Sequence, residues 1–280
     1  MPMHRRDRWI AVAGVVPWLL VVVPLVMMLG ALWQQGYQGL SLAFLLEDPR
    51  AAGRAGGIAS LLLSTGWILA VCLAVAVPVG LGCALYLSEE VPPGSPAARR
   101  LGFVLDLLAA TPSVVFGLFG YQFFAITLGL GFSILSGGLA LSLMVLPLMI
   151  RSAEQALRGV PGSYRRAARA LALSRWGWVR RVLLPGAASG IAVGVILSVG
   201  RALAETAVLL FTAGYVLRRP DSVFDSGRAL SVHIYDLAMN VPGGTARAAT
   251  TALVLMAVLI AINLLIRRAL RRPVLAGVPR

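Results

Sequence analysis

Residues 107–150 read LLAATPSVVFGLFGYQFFAITLGLGFSILSGGLALSLMVLPLMI, 44 residues without a charge. About 20 predominantly apolar residues suffice for a helix to cross the hydrocarbon core of a bilayer, so one helix cannot use them all. Gly129, Gly131, Gly137 and Gly138 mark a turn. The stretch therefore predicts two spans, residues 101–128 and 133–150. In lipid every backbone polar group must bond internally, which leaves only helices and closed barrels. A run this long and this continuously apolar does not fit barrel strands. The expected fold class is an all-α membrane protein.

Reading outward gives four more spans. Ile10–Trp33 has 24 residues without a charge and follows the cluster His4-Arg5-Arg6-Asp7-Arg8. The apolar core of a secretory signal is shorter, 7–15 residues, so an uncleaved first span is expected at 10–33, kinked at Pro17 and Pro24. Ala55–Ser88 has 34 uncharged residues. It predicts a tilted or overlong span at 57–88, divided by Pro78. Val182–Leu217 is apolar except for Arg201 and Glu205 and predicts a span at 185–213. The last span, 248–267, ends at Arg267-Arg268. The whole chain, 1–280, is read as a single transmembrane domain of six helices, with a basic loop at 151–184. No low-complexity segment and no clear internal repeat appears, so symmetry gives no support to an inverted-repeat carrier.

Composition agrees. The chain is 59% hydrophobic and 13% charged, where a soluble domain is near half apolar and a quarter charged. All 25 basic residues are arginine. Without lysine there is no Walker-type phosphate loop and no Schiff-base nucleophile. The net charge of +14 would point to nucleic acid in a soluble protein. Here the arginines lie between apolar runs, so the positive-inside rule is the simpler cause and no nucleic-acid partner is expected. Eighteen arginines fall at the N-terminus, in 89–100, in 151–181 and at the C-terminus. Six (Arg50, Arg54, Arg218, Arg219, Arg228, Arg247) fall on the other side. Both termini and the 151–184 loop are thus expected in the cytoplasm. Cys72 and Cys83 lie about 16 Å apart if helical, too far for a disulfide. With two His and two Cys unclustered, no metal site and no cofactor is read. Asp106 is expected as a charge at the start of the third span, and His233 as an outer-loop contact.

The loop has a pattern of its own. Ser163 is placed to cap a helix starting at Tyr164. Ala167, Ala168, Leu171 and Ala172 then give one small apolar face. Ser174 is placed to cap a second short helix through Arg181. The two pieces form a helical knob, suited either to anionic headgroups or to the groove of another protein.

This segment resembles the coupling loop of ABC-importer permeases, whose motif reads E-A-A, three residues, G, nine residues, I-x-L-P. The register falls on Arg166, Ala167, Ala168, Ala172, Val182, Leu184 and Pro185. Arg166 replaces the motif Glu and Ala172 the motif Gly. The Glu would sit three residues after Ser163, in the capping-box position. Arg166 cannot accept the backbone N–H there, and it puts positive charge at the positive end of the helix dipole, a cost of a few tenths to about 1 kcal/mol. Thr111–Gly120 is similar to the third-span signature of phosphate-specific permeases. Gly200–Ala207 with Leu209–Gly214 resembles their fifth-span signature. Leu230–Tyr235 is similar to the outer-loop pattern of the PstA-type family, which more often has Pro where Ser231 stands.

The resemblance implies a MetI-like permease core in a bacterial inner membrane. It implies transport of inorganic phosphate, a PstC-like permease subunit, a PstB-like ATPase dimer and a periplasmic phosphate-binding protein. Ser163, Arg166, Ala167, Ala168, Ala172, Leu184 and Pro185 would then couple to the ATPase. A same-architecture permease for another oxyanion, or an ATP-independent anion channel or carrier, is the alternative. An arginine near mid-membrane costs roughly 2.5–3.5 kcal/mol on insertion scales. Arg201 and Glu205, four apart, are expected to share a helix face. They form either a self-satisfied pair or a transient anion site that Glu205 keeps weak enough to release.

Overall fold

The computed structural model describes the backbone of residues 5–274 and the side chains of residues 15–268. The side chains of the His4–Arg8 cluster and of Arg271, Arg272 and Arg280 lie outside the described residues, and with them the arginine count at the two termini. The first apolar run forms α1 (Arg5–Gly36), with Pro17 and Pro24 inside it. A short α2 (Leu42–Leu46) and a two-residue hairpin, β1 (Pro49–Arg50) with β2 (Ala55–Gly56), lead into α3 (Ala59–Glu89). Then follow α4 (Pro96–Ala110), α5 (Ser113–Gly120) with a π-turn over Tyr121–Thr127, and α6 (Ile134–Arg158). The basic segment gives α7 (Gly162–Ala170) and α8 (Arg175–Trp178). The remaining helices are α9 (Leu184–Ala204), α10 (Ala207–Thr212), α11 (Leu230–Met239) and α12 (Thr245–Val274).

Among the described residues, five helical segments are long and apolar enough to cross a membrane. Taken together, α4 and α5 with its π-turn meet the same length and composition criterion as one bent segment, its two parts at 91° to each other. The segment expected as a span at 101–128 is thus sharply bent at Pro112. Pro112 has no N–H to continue the ladder, and it drives Thr111 out of the helical region, to φ −66, ψ 128. The helix stops at Ala110 and restarts at Ser113 in a new direction.

The centre of the molecule is α6, packed between α3 and α9. Ile68, Cys72, Ile134, Leu141 and Val145 are almost wholly buried between α3 and α6. Toward the Arg151–Arg181 end, Ala84, Met149, Ala153 and Leu183 continue the core. Lipid tails are as apolar as leucine, so helix association relies on close packing at small residues. Gly138 lets α6 approach α3, and a Cβ there would lie 2.5 Å from Val71 Cγ1. Gly190 does the same for α9 against α6, 2.5 Å from Ala156 Cβ. The outer pair α1 and α12 is joined where Thr250 Oγ1 donates to the Gly36 carbonyl at 2.9 Å. Away from that joint, α1 presents Trp18, Leu20, Val21 and Met27 outward, as a lipid-facing helix should.

The fifth span also departs from expectation. It begins earlier than 185, because α8 runs through a π-turn (Val179–Leu183) directly into α9. Pro185 is the cause: it cannot donate to the carbonyl four residues back and its ring crowds that carbonyl, so the preceding turn widens rather than breaks. It also ends earlier, at Ala204. Glu205 is extended (φ −79, ψ 131), and Ser231 of α11 donates its hydroxyl to the Glu205 carbonyl at 2.6 Å.

Candidate functional site

Two regions carry the residues singled out by sequence: the basic hairpin and the end of α9. In the hairpin, Pro161 is the residue before the first helical one and Tyr164 N–H bonds its carbonyl at 3.0 Å. Ser163 lies inside the first turn and caps nothing, because the chain turns two residues earlier than expected, at Pro161. Arg166 consequently sits beyond the first turn, where the dipole effect has fallen off, and the expected cost at that position is removed. Ser174 does cap α8, accepting from Gly177 N–H at 3.1 Å.

The end of α7 explains the motif's glycine. Leu173 N–H bonds the Ala168 carbonyl and Ala172 N–H bonds the Arg169 carbonyl, each at 3.0 Å. These are the two crossed bonds of a Schellman cap, which requires a left-handed residue at the position of Ala172. Ala172 adopts φ +48. Alanine here carries a Cβ in a conformation that glycine reaches freely.

Of the expected small apolar face, only Ala168 is buried, against the core end formed by Ala84, Ala153 and Trp178. Ala167 and Ala172 are exposed, and Leu171 is 74% exposed at the tip. What holds the hairpin to the bundle is Glu89, the last residue of α3. Its carboxylate accepts from Trp178 Nε1 at 3.1 Å and from Arg165. The Arg165 guanidinium stacks 5.3 Å from the Trp178 ring. Arg175 pairs with Glu90, and Arg158 bonds Glu154 at 3.0 Å and the Leu87 carbonyl at 2.7 Å. Sequence reasoning passed over Glu89 and Glu90; the signal was two adjacent acids closing an apolar run on the same side as the arginine loop. Leu184 is half-buried and Pro185 exposed at the joint.

Asp106 is not a helix-start charge. It is in the third turn of α4 and accepts from Arg151 of α6 at 2.9 Å. Arg151 also donates to the Gly102 carbonyl at 3.0 Å.

Arg201 stands in the last turn of α9, on an exposed stripe with Val193 and Leu197. The negative end of the helix dipole suits a cation there. Among the described residues it makes no salt bridge. The expected shared face with Glu205 is corrected: the helix ends between them, so the i, i+4 relation has no helix to act through. The restart at α10 brings the chain against α5 at Gly117, where a Cβ would lie 3.1 Å from the Ala207 carbonyl oxygen.

At the opposite end from the hairpin, the segment after α10 folds back over the bundle. Arg228, 8% exposed, donates to Asp236 Oδ2 at 2.7 Å and to the Tyr215 carbonyl at 3.0 Å. Its guanidinium lies 5.2 Å from the Tyr215 ring. His233, expected as an outer-loop contact, lies within α11 as a buried packing residue: it is 1% exposed with Nδ1 3.5 Å from Arg228 Nη1. Burial and then the Arg228 charge push its pKa down to about 4. Burial, followed by the Asp236 charge, raises that of Tyr215. The Asp225 carboxylate is held low by the backbone N–H groups of Asp221 and Ser222. Arg228 and Asp236 are eight apart with only the second in a helix, so no sequence period could have paired them.

The family described as binding-protein-dependent transport system inner membrane component matches residues 76–272. The probable ABC transporter permease protein YqgI of Bacillus subtilis (strain 168) is 34% identical over 215 residues, covering 72% of this chain and 73% of that protein. The phosphate transport system permease protein PstA of Mycobacterium leprae (strain TN) is 34% identical over 253 residues, 88% of this chain and 82% of that one. Among solved structures, an inward-facing MetNI methionine ABC transporter matches with TM-score 0.54 and 21% identity, over 80% of this chain and 95% of that chain.

Proposed function

This chain belongs to the family of binding-protein-dependent transport system inner membrane components, and from that premise we propose that it forms half of the translocation path of an ATP-driven inorganic phosphate importer. It is a multi-pass permease subunit of an ABC importer with a MetI-like fold, and not itself an enzyme. The phosphate assignment is supported by the PstA relatives and by the third-span, fifth-span and outer-loop signatures. The partners that go with it are a PstC-like permease, a PstB-like ATPase dimer and a periplasmic phosphate-binding protein. The hairpin, with Ser163, Arg166, Ala167, Ala168, Ala172, Leu184 and Pro185, is the ATPase contact. The arginine asymmetry puts that hairpin and both termini in the cytoplasm and the Arg228 network on the outer side.

One observation carries the mechanism. The hairpin's second helix and the helix bearing Arg201 are a single continuous segment, Arg175–Ala204. Movement of the hairpin on nucleotide binding is thereby delivered to Arg201 without an intervening loop. Arg201 gives a passing anion a positive site, weak because it stands in an open face and because Glu205 lies just beyond it. Conduction needs a site that releases as well as binds.

The test is phosphate uptake into proteoliposomes holding this chain, its partner permease, the ATPase and the binding protein. Uptake should require all four and ATP. Arg201→Leu should abolish it, and Glu205→Gln should change its rate. Uptake by the solitary subunit, or wild-type rates in both variants, would refute the assignment. Uptake of sulfate or molybdate in preference to phosphate would refute the substrate alone.

A further inference from the structure

We infer that the surface the hairpin offers its ATPase is cationic, and that the groove receiving it is lined with carboxylates. The inference rests on the coupling reading above and names the chemistry of the partner. From Gln155 to Ala204 the chain contains eight arginines and no acid. Among the described residues, the carboxylates that reach the hairpin from elsewhere are already engaged: Glu154 with Arg158, Glu89 with Arg165, Glu90 with Arg175. Arg166, Arg169, Arg180 and Arg181 are exposed and make no salt bridge among the described residues.

The geometry of α7 aims this charge outward. Ala168 is its one buried residue. At 100° per residue, Arg166 points almost directly away from Ala168, with Ala170 and Ser163 beside it and Arg169 on the flank. The face presented is thus two guanidinium groups among side chains no larger than serine, which lets another backbone come close. An interfacial helix needs a broad face of large apolar residues on the bilayer side. The face of α7 opposite Ala168 has none, and the exposed Tyr164 and Leu171 lie on the other side of the helix from Arg166, which favours a protein groove over a lipid surface at the arginine face. A groove matched to the motif's Glu would repel Arg166 or leave it unpaired; like charges at an interface weaken binding and suppress wrong partners. Arg166 therefore marks a partner whose own charge is reversed at that point.

The experiment uses the full permease in nanodiscs and the ATPase subunit that co-purifies with it, with the dissociation constant followed as NaCl is raised. The wild-type affinity should fall with salt. Arg166→Glu, which restores the family's motif acid, should weaken binding about tenfold or more. Arg166→Lys with Arg169→Lys should stay within about threefold, and replacing the groove's acids by Arg should rescue Arg166→Glu. Exchange protection of the Leu171 and Leu173 amides checks that α7 is intact in each variant. Tighter binding by Arg166→Glu, or salt-independent affinity, overturns the acidic groove while leaving coupling in place. No ATPase retained by the wild type overturns both. If ATPase affinity is unchanged and Arg166→Glu instead loosens the hairpin only in phosphatidylglycerol nanodiscs, the charge serves lipid and the inference fails.

Discussion

Replacing Ala172 by glycine should stabilise the hairpin. An L-residue in the left-handed region costs about 1–2 kcal/mol. Glycine avoids that but gives back about 0.4–1 kcal/mol through its larger freedom in the opened chain. The net gain is about 0.5–1 kcal/mol, a factor of roughly 2–5 in the opening equilibrium. The bonds that report it are the two of the cap, Leu173 N–H to Ala168 and Ala172 N–H to Arg169, together with Leu171 N–H to Ala167, also 3.0 Å. Amide hydrogen exchange of the chain in nanodiscs should slow by that factor at Leu171 and Leu173. Ala167→Gly provides the opposite sign, since Ala167 is exposed and mid-helix, where glycine costs roughly 0.5–1 kcal/mol. If Ala172→Gly speeds exchange as Ala167→Gly does, the left-handed cap is not what closes α7.

Three further outcomes are expected. Glu89→Gln weakens the hold on Arg165 and Trp178; discounted for the partial exposure of Arg165, the loss is about 1 kcal/mol, read as faster exchange in α7 and α8 with α3 unchanged. Arg228→Leu strands Asp236 in a largely buried site and should cost about 3–5 kcal/mol, whereas Arg228→Leu with Asp236→Leu should cost less than the single change; thermal unfolding in detergent measures both. His233 has a folded pKa of about 4, below its unfolded value near 6.5. The unfolded chain therefore binds the extra proton first, and this contribution to stability is complete above pH 6.5 and is lost as pH falls toward 4. The same scan on His233→Gln should lose that part of the pH dependence.

Long apolar helices were legible because an uncharged run in lipid has one solution, and α3 ends at its charge boundary, whereas α6 opens inside the 107–150 run and continues past Arg151 and Glu154 to Arg158. The breaks were not. Pro112 is visible in sequence as a kink, yet nothing local says that the chain turns through 91° there. The end of α9 depends on the hydroxyl of Ser231, 26 residues further on. The Ser163 cap failed for a local reason: Pro161 already fixed the helix start, and a Ser inside the first turn has no free N–H to take. The motif glycine was recognised by resemblance, but its cause became physical only with the φ of Ala172. Arg228 was illegible because it finds Asp236 through tertiary contact, and Glu89, though visible as one of two adjacent acids closing an apolar run, gave no sign that Arg165 and Trp178 are its partners.

The unbroken run from Arg175 to Ala204 is 30 residues, about 45 Å of rod at 1.5 Å per residue. Arg201 stands roughly 39 Å from its foot, so a lean of about 10° sweeps the guanidinium sideways by about 7 Å. That is wider than the gap between an arginine and the anion it grips. Under the function proposed above, a small stroke at the hairpin is thus geared up into a large one at Arg201, and no part of the gearing has to bend.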